Sequence, residues 1–162
     1  LKKGASILVH PVKNPNRFGV VTLKKNKIIN LVEKPRNTKS NLAITGLYFF
    51  DNSVIKKASS LKKSKRNELE IIDLLKIYKK TNSLKVEQLG RGAAWLDTGT
   101  IDDFNQTSVF VSSIEKRQGL KIACLEEIAF LNGWLDEEAI SVQAEKLSNT
   151  NYGKYLFDLM SR

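Results

Sequence analysis

Strand-like sequence stops at Asp97, and helix-like sequence begins at Thr100. That boundary limits the fold more than any other feature. Before it, Ser6–Val12 reads as a buried strand, and Gly19–Glu33 as a hairpin around Lys24-Lys25-Asn26-Lys27. The run Asn14–Gly19 is turn chemistry, rich in Asn, Pro and Gly. Ala43–Phe50 is another β-rich run. It is broken by Gly46, which marks close approach of backbone or ligand. Ser83–Gly90 alternates, and Ala93–Asp97 is a short apolar strand ending on an acid. Between the strands, Asp51 or Asn52 can cap a short helix over 53–61. Residues 68–80 carry the helical period, with acids early and lysines late to suit the helix dipole. From Thr100 the pattern is helical. Thr100 caps a helix running to Arg117, with Asp102 and Asp103 in its first turn and Gly119 as its stop. Residues 121–133, 136–147 and 152–160 follow as a helical tail. The fold class is therefore α/β with a helical C-terminal region.

With 162 residues, 41% of them hydrophobic and 27% charged, one globular domain can bury a core. No apolar run approaches the roughly 20 residues needed to span a bilayer. The start carries no signal-peptide pattern, and a first residue of Leu1 rather than Met suggests a fragment or processed chain. The single cysteine, Cys124, allows no internal disulfide and fits a reducing compartment, the cytoplasm. The formal charge of +10 comes largely from lysine pairs scattered along the chain, which reads as a solvated surface. A nucleic-acid binder should gather arginines and exposed aromatics on one tract, whereas these aromatics sit inside apolar runs. Neither nucleic acid nor membrane is expected as a partner.

Three constellations carry chemistry. Asp97, at a strand's carboxyl end before Thr98-Gly99-Thr100, either helps hold a divalent cation or caps the turn. Glu33 and Lys34 are adjacent, so on a strand they would point to opposite faces before Pro35 leaves the sheet. Such a pair could offer a carboxylate to sugar hydroxyls and an ammonium to a phosphate, or be a surface charge pair. Arg66 precedes a helix whose first turn is expected to hold Glu68 and Glu70. It either grips a phosphate or sugar oxygen, or pairs with Glu70. The only histidine, His10, reads as a buried or turn-bonded imidazole, and Cys124, on an apolar helix, lacks the partners for zinc or thiol catalysis. No Gly-rich phosphate loop of a standard pattern is present.

Taken together, NRFGVV, VEKP, AITGLYFFD, ELEI, LGRGAAWLDTGT and EKRQGLKIACLEEIAFLNGW resemble the glucose-1-phosphate thymidylyltransferase family, from about residue 5 to the end. The resemblance implies the C-terminal part of a Rossmann-like nucleotidyltransferase mixed sheet with a helical tail. Residues 1–118 would be the sugar-phosphate part of an incomplete domain, and 119–162 the assembly and regulatory part. It implies transfer of a deoxythymidylyl group from dTTP to glucose 1-phosphate with Mg²⁺ as cofactor. Asp97 would be one metal-holding acid. Glu33 would accept sugar hydroxyls and Lys34 would contact the sugar phosphate. Gly19, Ile44, Gly46 and Trp95 would line the sugar, and Arg66 would reach its phosphate region. Arg91, Ala123, Glu127 and Ile128 would fall on a regulatory nucleotide site, where Leu131 stands in place of the usual arginine. Asn14 stands where an aspartate is usual. The family's nucleotide-holding loop and other metal acid belong to an N-terminal half outside these residues, so this chain is expected to be inactive alone. Assembly as a homotetramer is implied too, and half a sheet leaves an open edge that recruits partners. The alternative is a non-catalytic dTDP-sugar-binding or subunit-interaction module.

Overall fold

The computed structural model describes residues 3–161. Its strands are β1 (Ala5–Pro11), β2 (Gly19–Lys24), β3 (Lys27–Glu33), β4 (Leu42–Phe50) and β5 (Leu84–Gln88). Its helices are α1 (Val54–Ser59), α2 (Ile71–Lys80), α3 (Ile101–Gln118), α4 (Leu125–Leu131), α5 (Glu137–Lys146) and α6 (Asn151–Met160). The chain divides into two compact units, Leu1–Trp95 and Leu96–Arg162.

The first unit is a mixed five-stranded sheet of order β3-β2-β4-β1-β5. Only β1 and β5 run parallel; the other pairs are antiparallel. The expected hairpin is β2–β3, turned by Lys25 (φ +47°) and Asn26 (φ +61°). Two positive-φ residues in a two-residue loop match the twist of the strands they join. Alternate side chains Ile7, Val9, Val21, Leu31 and Ile44 meet Ile72 and Leu75 of α2 in one core. Burying each such side chain stabilises the fold by about 1.5–3 kcal/mol. Tyr78 of α2 is fully buried beside Phe50, and its hydroxyl donates to Asp51 Oδ1 at 3.1 Å. Asp51 also accepts from the Gly4 and Ser53 backbone amides, tying the start of β1 to the end of β4. Its bonds, with that from the Ser53 hydroxyl foremost, hold its pKa down to about 2.

Register explains Gly46. Ile7 pairs with Tyr48 and Val9 with Ile44, so β4 spends two more residues than β1 across this step. Gly46 lies in that bulge at φ +84°, where a side chain is strained. A Cβ there would meet nothing within 4 Å, so bulge geometry rather than close approach of backbone accounts for the glycine.

Several elements depart from the sequence expectation. Ala93–Asp97 is not a strand. The segment pairs with no strand among the described residues; instead Trp95 is turned toward β4, its indole bonding the Thr45 carbonyl at 3.2 Å. The helix expected over 68–80 begins at Ile71, because Glu70 is extended (φ −94°, ψ 129°). Glu68 and Glu70 therefore lie in the preceding loop, outside the first helical turn. The short helix expected over 53–61 spans Val54–Ser59. His10 lies half-buried on β1, and its Nδ1 is buried without a hydrogen-bond partner, so it is not turn-bonded through that atom.

In the second unit α3 matches expectation. The Thr100 hydroxyl accepts from the Asp103 amide at 3.1 Å, and Gly119 closes the helix at φ +67°. No residue of α3 is buried. The helix expected over 121–133 is shorter. Ala123 takes a positive φ of +56° and Cys124 is an extended N-cap, so α4 starts only at Leu125. Cys124, Ile140, Ala144, Tyr155, Leu156 and Leu159 form this unit's core. Asp136 and Thr150 cap α5 and α6 through their side-chain oxygens.

Candidate functional site

Gly19 and Glu33 stand opposite each other on β2 and β3. A Cβ on Gly19 would lie 3.1 Å from Glu33 Oε2 and 3.0 Å from Ile72 Cδ1. The missing side chain is what lets the Glu33 carboxylate fold back over the sheet. Burial, then the Glu70 carboxylate, push the Glu33 pKa above its ordinary value, while Lys34 and Arg66 pull it partly back. Glu33 in turn adds to the upward shift that burial produces in the Tyr48 phenol.

Arg66 faces three carboxylates: Nη1 is 3.9 Å from Glu33 Oε1, Nε is 3.7 Å from Glu70 Oε1, and Nη2 donates to Glu68 Oε2. Glu33, Ser64, Arg66, Glu70, Asp73 and Lys76 share the lining of a cavity of about 400 Å³. That volume lies within the range of small-ligand clefts, roughly 300–1,000 Å³. Arg66 pairs with Glu70, as one of its two readings expects, and it also lines this cavity.

Lys34 does not share a strand with Glu33. β3 ends at Glu33, and Lys34 takes φ +41° with its amide bonded to the Phe18 carbonyl at 3.0 Å. A left-handed non-glycine residue costs about 1–3 kcal/mol, and such outliers cluster at ligand sites. The face-alternation argument for this pair therefore gives way to a kink: the chain leaves the sheet at Lys34, one residue before Pro35.

Trp95 reaches the bulge of β4. Its indole Nε1 donates to the Thr45 carbonyl at 3.2 Å, and its ring meets Phe18 edge-on at 5.0 Å and His10 at 6.3 Å. Trp95 thus sits beside Gly46 and the Phe18-Gly19 step. Ile44 is different. At 5% exposure its side chain belongs to the core, where it fixes β4 rather than offering a contact surface.

In the second unit, the Asp97 carboxylate lies over Gly99, where a Cβ would come within 3.2 Å of Oδ2. The helix cap is made by Thr100 itself. Thr98, Gly99, Thr100, Ile101 and Phe104 line an opening of about 320 Å³. Among the described residues no group of three or more His, Cys, Asp or Glu side chains could hold a metal ion. A single carboxylate remains compatible with Mg²⁺, which commonly takes one or two carboxylates plus substrate phosphates.

Of the positions on the expected regulatory site, Arg91 is exposed on a turn of the first unit. In the second unit, Ala123 lies just before α4, and Glu127 and Ile128 lie near its start. Glu127 accepts from the Tyr155 hydroxyl at 2.6 Å, and Ile128 is exposed. Leu131, also exposed, brings no cation.

Ser64, Tyr48 and Phe18 escaped the sequence reading. Each looks generic in one dimension and gains its place only through chain reversals: the 64–70 loop, the β4 bulge and the turn before β2.

Known proteins share much of this sequence and fold. A glucose-1-phosphate thymidylyltransferase of Neisseria meningitidis is 46% identical over 160 residues, covering 98% of this chain. One from Mycolicibacterium smegmatis is also 46% identical over 98% of the chain. The chain spans about 56% of the length of these curated relatives. A solved glucose-1-phosphate thymidylyltransferase from Bacillus anthracis, in complex with sucrose, has TM-score 0.61 and 37% identity, covering 67% of this chain and 44% of that one. A UDP-glucose pyrophosphorylase complexed with UDP-glucose shares the fold, with TM-score 0.59 over 68% of this chain and 44% of that one, at 24% identity. The family model for nucleotidyl transferases matches residues 1–114. With its mixed sheet and the Gly19–Glu33–Arg66 cluster at one sheet edge, this chain belongs to the nucleotidyl transferase family.

Proposed function

We propose that the chain is the sugar-phosphate-binding part of a glucose-1-phosphate thymidylyltransferase. The observation that carries this is the cavity between β3 and the 64–70 loop, where a carboxylate and a guanidinium stand 3.9 Å apart. Sugar hydroxyls donate to a carboxylate, and a sugar phosphate needs a cation close by. Glu33 accepts from the sugar. Arg66, with Lys34 at its kink, balances the phosphate. Gly19 keeps the floor open, and Trp95 braces the β4 bulge carrying Gly46.

In the reaction, the phosphate oxygen of glucose 1-phosphate attacks the α-phosphorus of dTTP. A new P–O bond forms as the bond to pyrophosphate breaks. Two anions must be held together, so positioning and charge neutralisation dominate the rate. Asp97 would supply one carboxylate to Mg²⁺, which neutralises phosphate charge when bound. Nucleotide binding would come from the part of the relatives that this chain does not match. Residues 119–162 would serve assembly, as a homotetramer in the cytoplasm. A feedback nucleotide would have a weakened grip at Ala123, Glu127 and Ile128, because Leu131 supplies no charge.

The test is pyrophosphate release from dTTP and glucose 1-phosphate, with the chain joined to or mixed with an N-terminal half. Activity that falls by at least about 100-fold in Asp97→Asn at saturating Mg²⁺ supports the assignment; near-normal activity sinks it. The exposed α3, with Ile101, Phe104 and Val109 all uncovered, favours a second reading as a subunit-interaction module. Calorimetry with dTDP-rhamnose and dTDP tests whether such a module also binds a sugar nucleotide: absence of heat with both removes that binding.

A further inference from the structure

Arg66 is held unevenly. Its contacts to Glu33 and Glu70, at 3.9 and 3.7 Å, are ion pairs longer than hydrogen bonds. Glu68 alone makes a true hydrogen bond, to Nη2. The two carboxylates on the cavity side are sheltered, with side-chain exposures of 23% for Glu33 and 12% for Glu70, whereas that of Glu68 is 57%. Glu70 is fixed further by the Ser64 hydroxyl, which donates to its Oε1 at 2.9 Å and accepts from the Arg66 amide at 3.1 Å. Apart from its bond to Arg66, Glu68 is tied through its backbone, where its carbonyl accepts from the Ser64 amide at 2.8 Å. Its carboxylate can therefore swing away by changing rotamer, with the loop closed behind it.

We propose that Glu68 is a built-in stand-in for the ligand's phosphate. It occupies the outer edge of the Arg66 guanidinium until an anionic ligand displaces it, while Glu70 and Ser64 keep the inner Nε edge in place. An arginine's planar fork presents its N–H groups along in-plane edges that suit both carboxylate and phosphate, so the two compete for the same N–H groups. This rests on the reading of Arg66 as the contact to a sugar phosphate. Under it, Glu68 sets affinity by competition and Glu70 is a positioning residue. The two acids are two residues apart and carry the same charge, yet they act in opposite directions.

The experiment titrates the 162-residue chain with glucose 1-phosphate and, separately, with glucose. Calorimetry gives the affinity, and the Arg66 Nε–H resonance is followed by NMR. Glu68→Gln should tighten glucose 1-phosphate by about two- to fivefold, the worth of one exposed ion pair. It should leave glucose unchanged. Glu70→Gln should weaken glucose 1-phosphate by about threefold or more, despite removing a negative charge. If both substitutions tighten binding alike, only the general field has changed and the proposal falls. It falls also if Glu68→Gln changes nothing while Arg66→Gln abolishes phosphate-dependent binding, an outcome that leaves the reading of the site standing. An Arg66 resonance indifferent to glucose 1-phosphate in every variant removes the reading of the site, and this proposal with it.

Discussion

A glycine and a carboxylate share one small volume at the edge of the sheet. Gly19 leaves 3.1 Å between an absent Cβ and Glu33 Oε2, and 3.0 Å to Ile72 Cδ1. Gly19→Ala is therefore expected to displace Glu33 or Ile72. An overpacked site of this kind loses about 1–3 kcal/mol, measurable as a lower urea midpoint at unchanged slope. Two acids of the first unit should oppose each other in pH dependence. Asp51, held at about 2 against an ordinary 3.8, contributes stability that is complete above pH about 4 and is lost as pH falls through its folded value. Glu33 is raised instead, so its contribution is complete below its ordinary 4.5 and is lost as pH rises through the folded value. Urea melts from pH 2 to 7 should show the acid limb flattened in Asp51→Asn; an unchanged acid limb contradicts the Asp51 network.

At the scale of elements, the sequence was legible where local chemistry decides. The Lys25-Asn26 turn, the Thr100 cap and the Gly119 stop all depend on residues close along the chain. Tertiary context decided elsewhere. Ala93–Asp97 has strand composition but pairs with no strand among the described residues, and it runs as an irregular segment pinned through Trp95. Glu70 looks like a first-turn acid, yet it stays extended, bonded to Ser64 and facing Arg66. Ala123 is a good helix former that sits at positive φ, and α4 starts late for that reason. The candidate site was legible as residue types, but the Arg66 environment required the loop's path. Because α3 buries no side chain, its ends matter more than usual. Thr100→Ala should cost about 0.5–2 kcal/mol and reduce helical signal in circular dichroism, with fraying seen at Ile101–Phe104 by hydrogen exchange. Full protection there in the variant would show that the cap contributes nothing.

For the whole molecule, apolar surface and charge pull in opposite directions. A net charge of +10 keeps chains apart at low salt. Ile101, Val109, Leu125, Leu131 and Trp134, each at least 68% exposed, supply surface that gains by contact. The outer strands β3 and β5 add unpaired edges. Sedimentation should therefore show association that strengthens as salt screens the charge, and Val109→Glu should weaken it. A monomer at all salt concentrations would contradict this. No helix among the described residues is long and apolar enough to cross a membrane.

The detour of β4 around Gly46 has a counting consequence. Because it adds two residues opposite β1, Ile44 and Tyr48 keep the same parity and both face inward. Deleting one residue from 45–47 would rotate Tyr48 and Phe50 outward together; deleting two would merely straighten the strand. Chains that share this sheet should thus vary in length here by even steps, an arithmetic that alternation imposes whatever the side chains are.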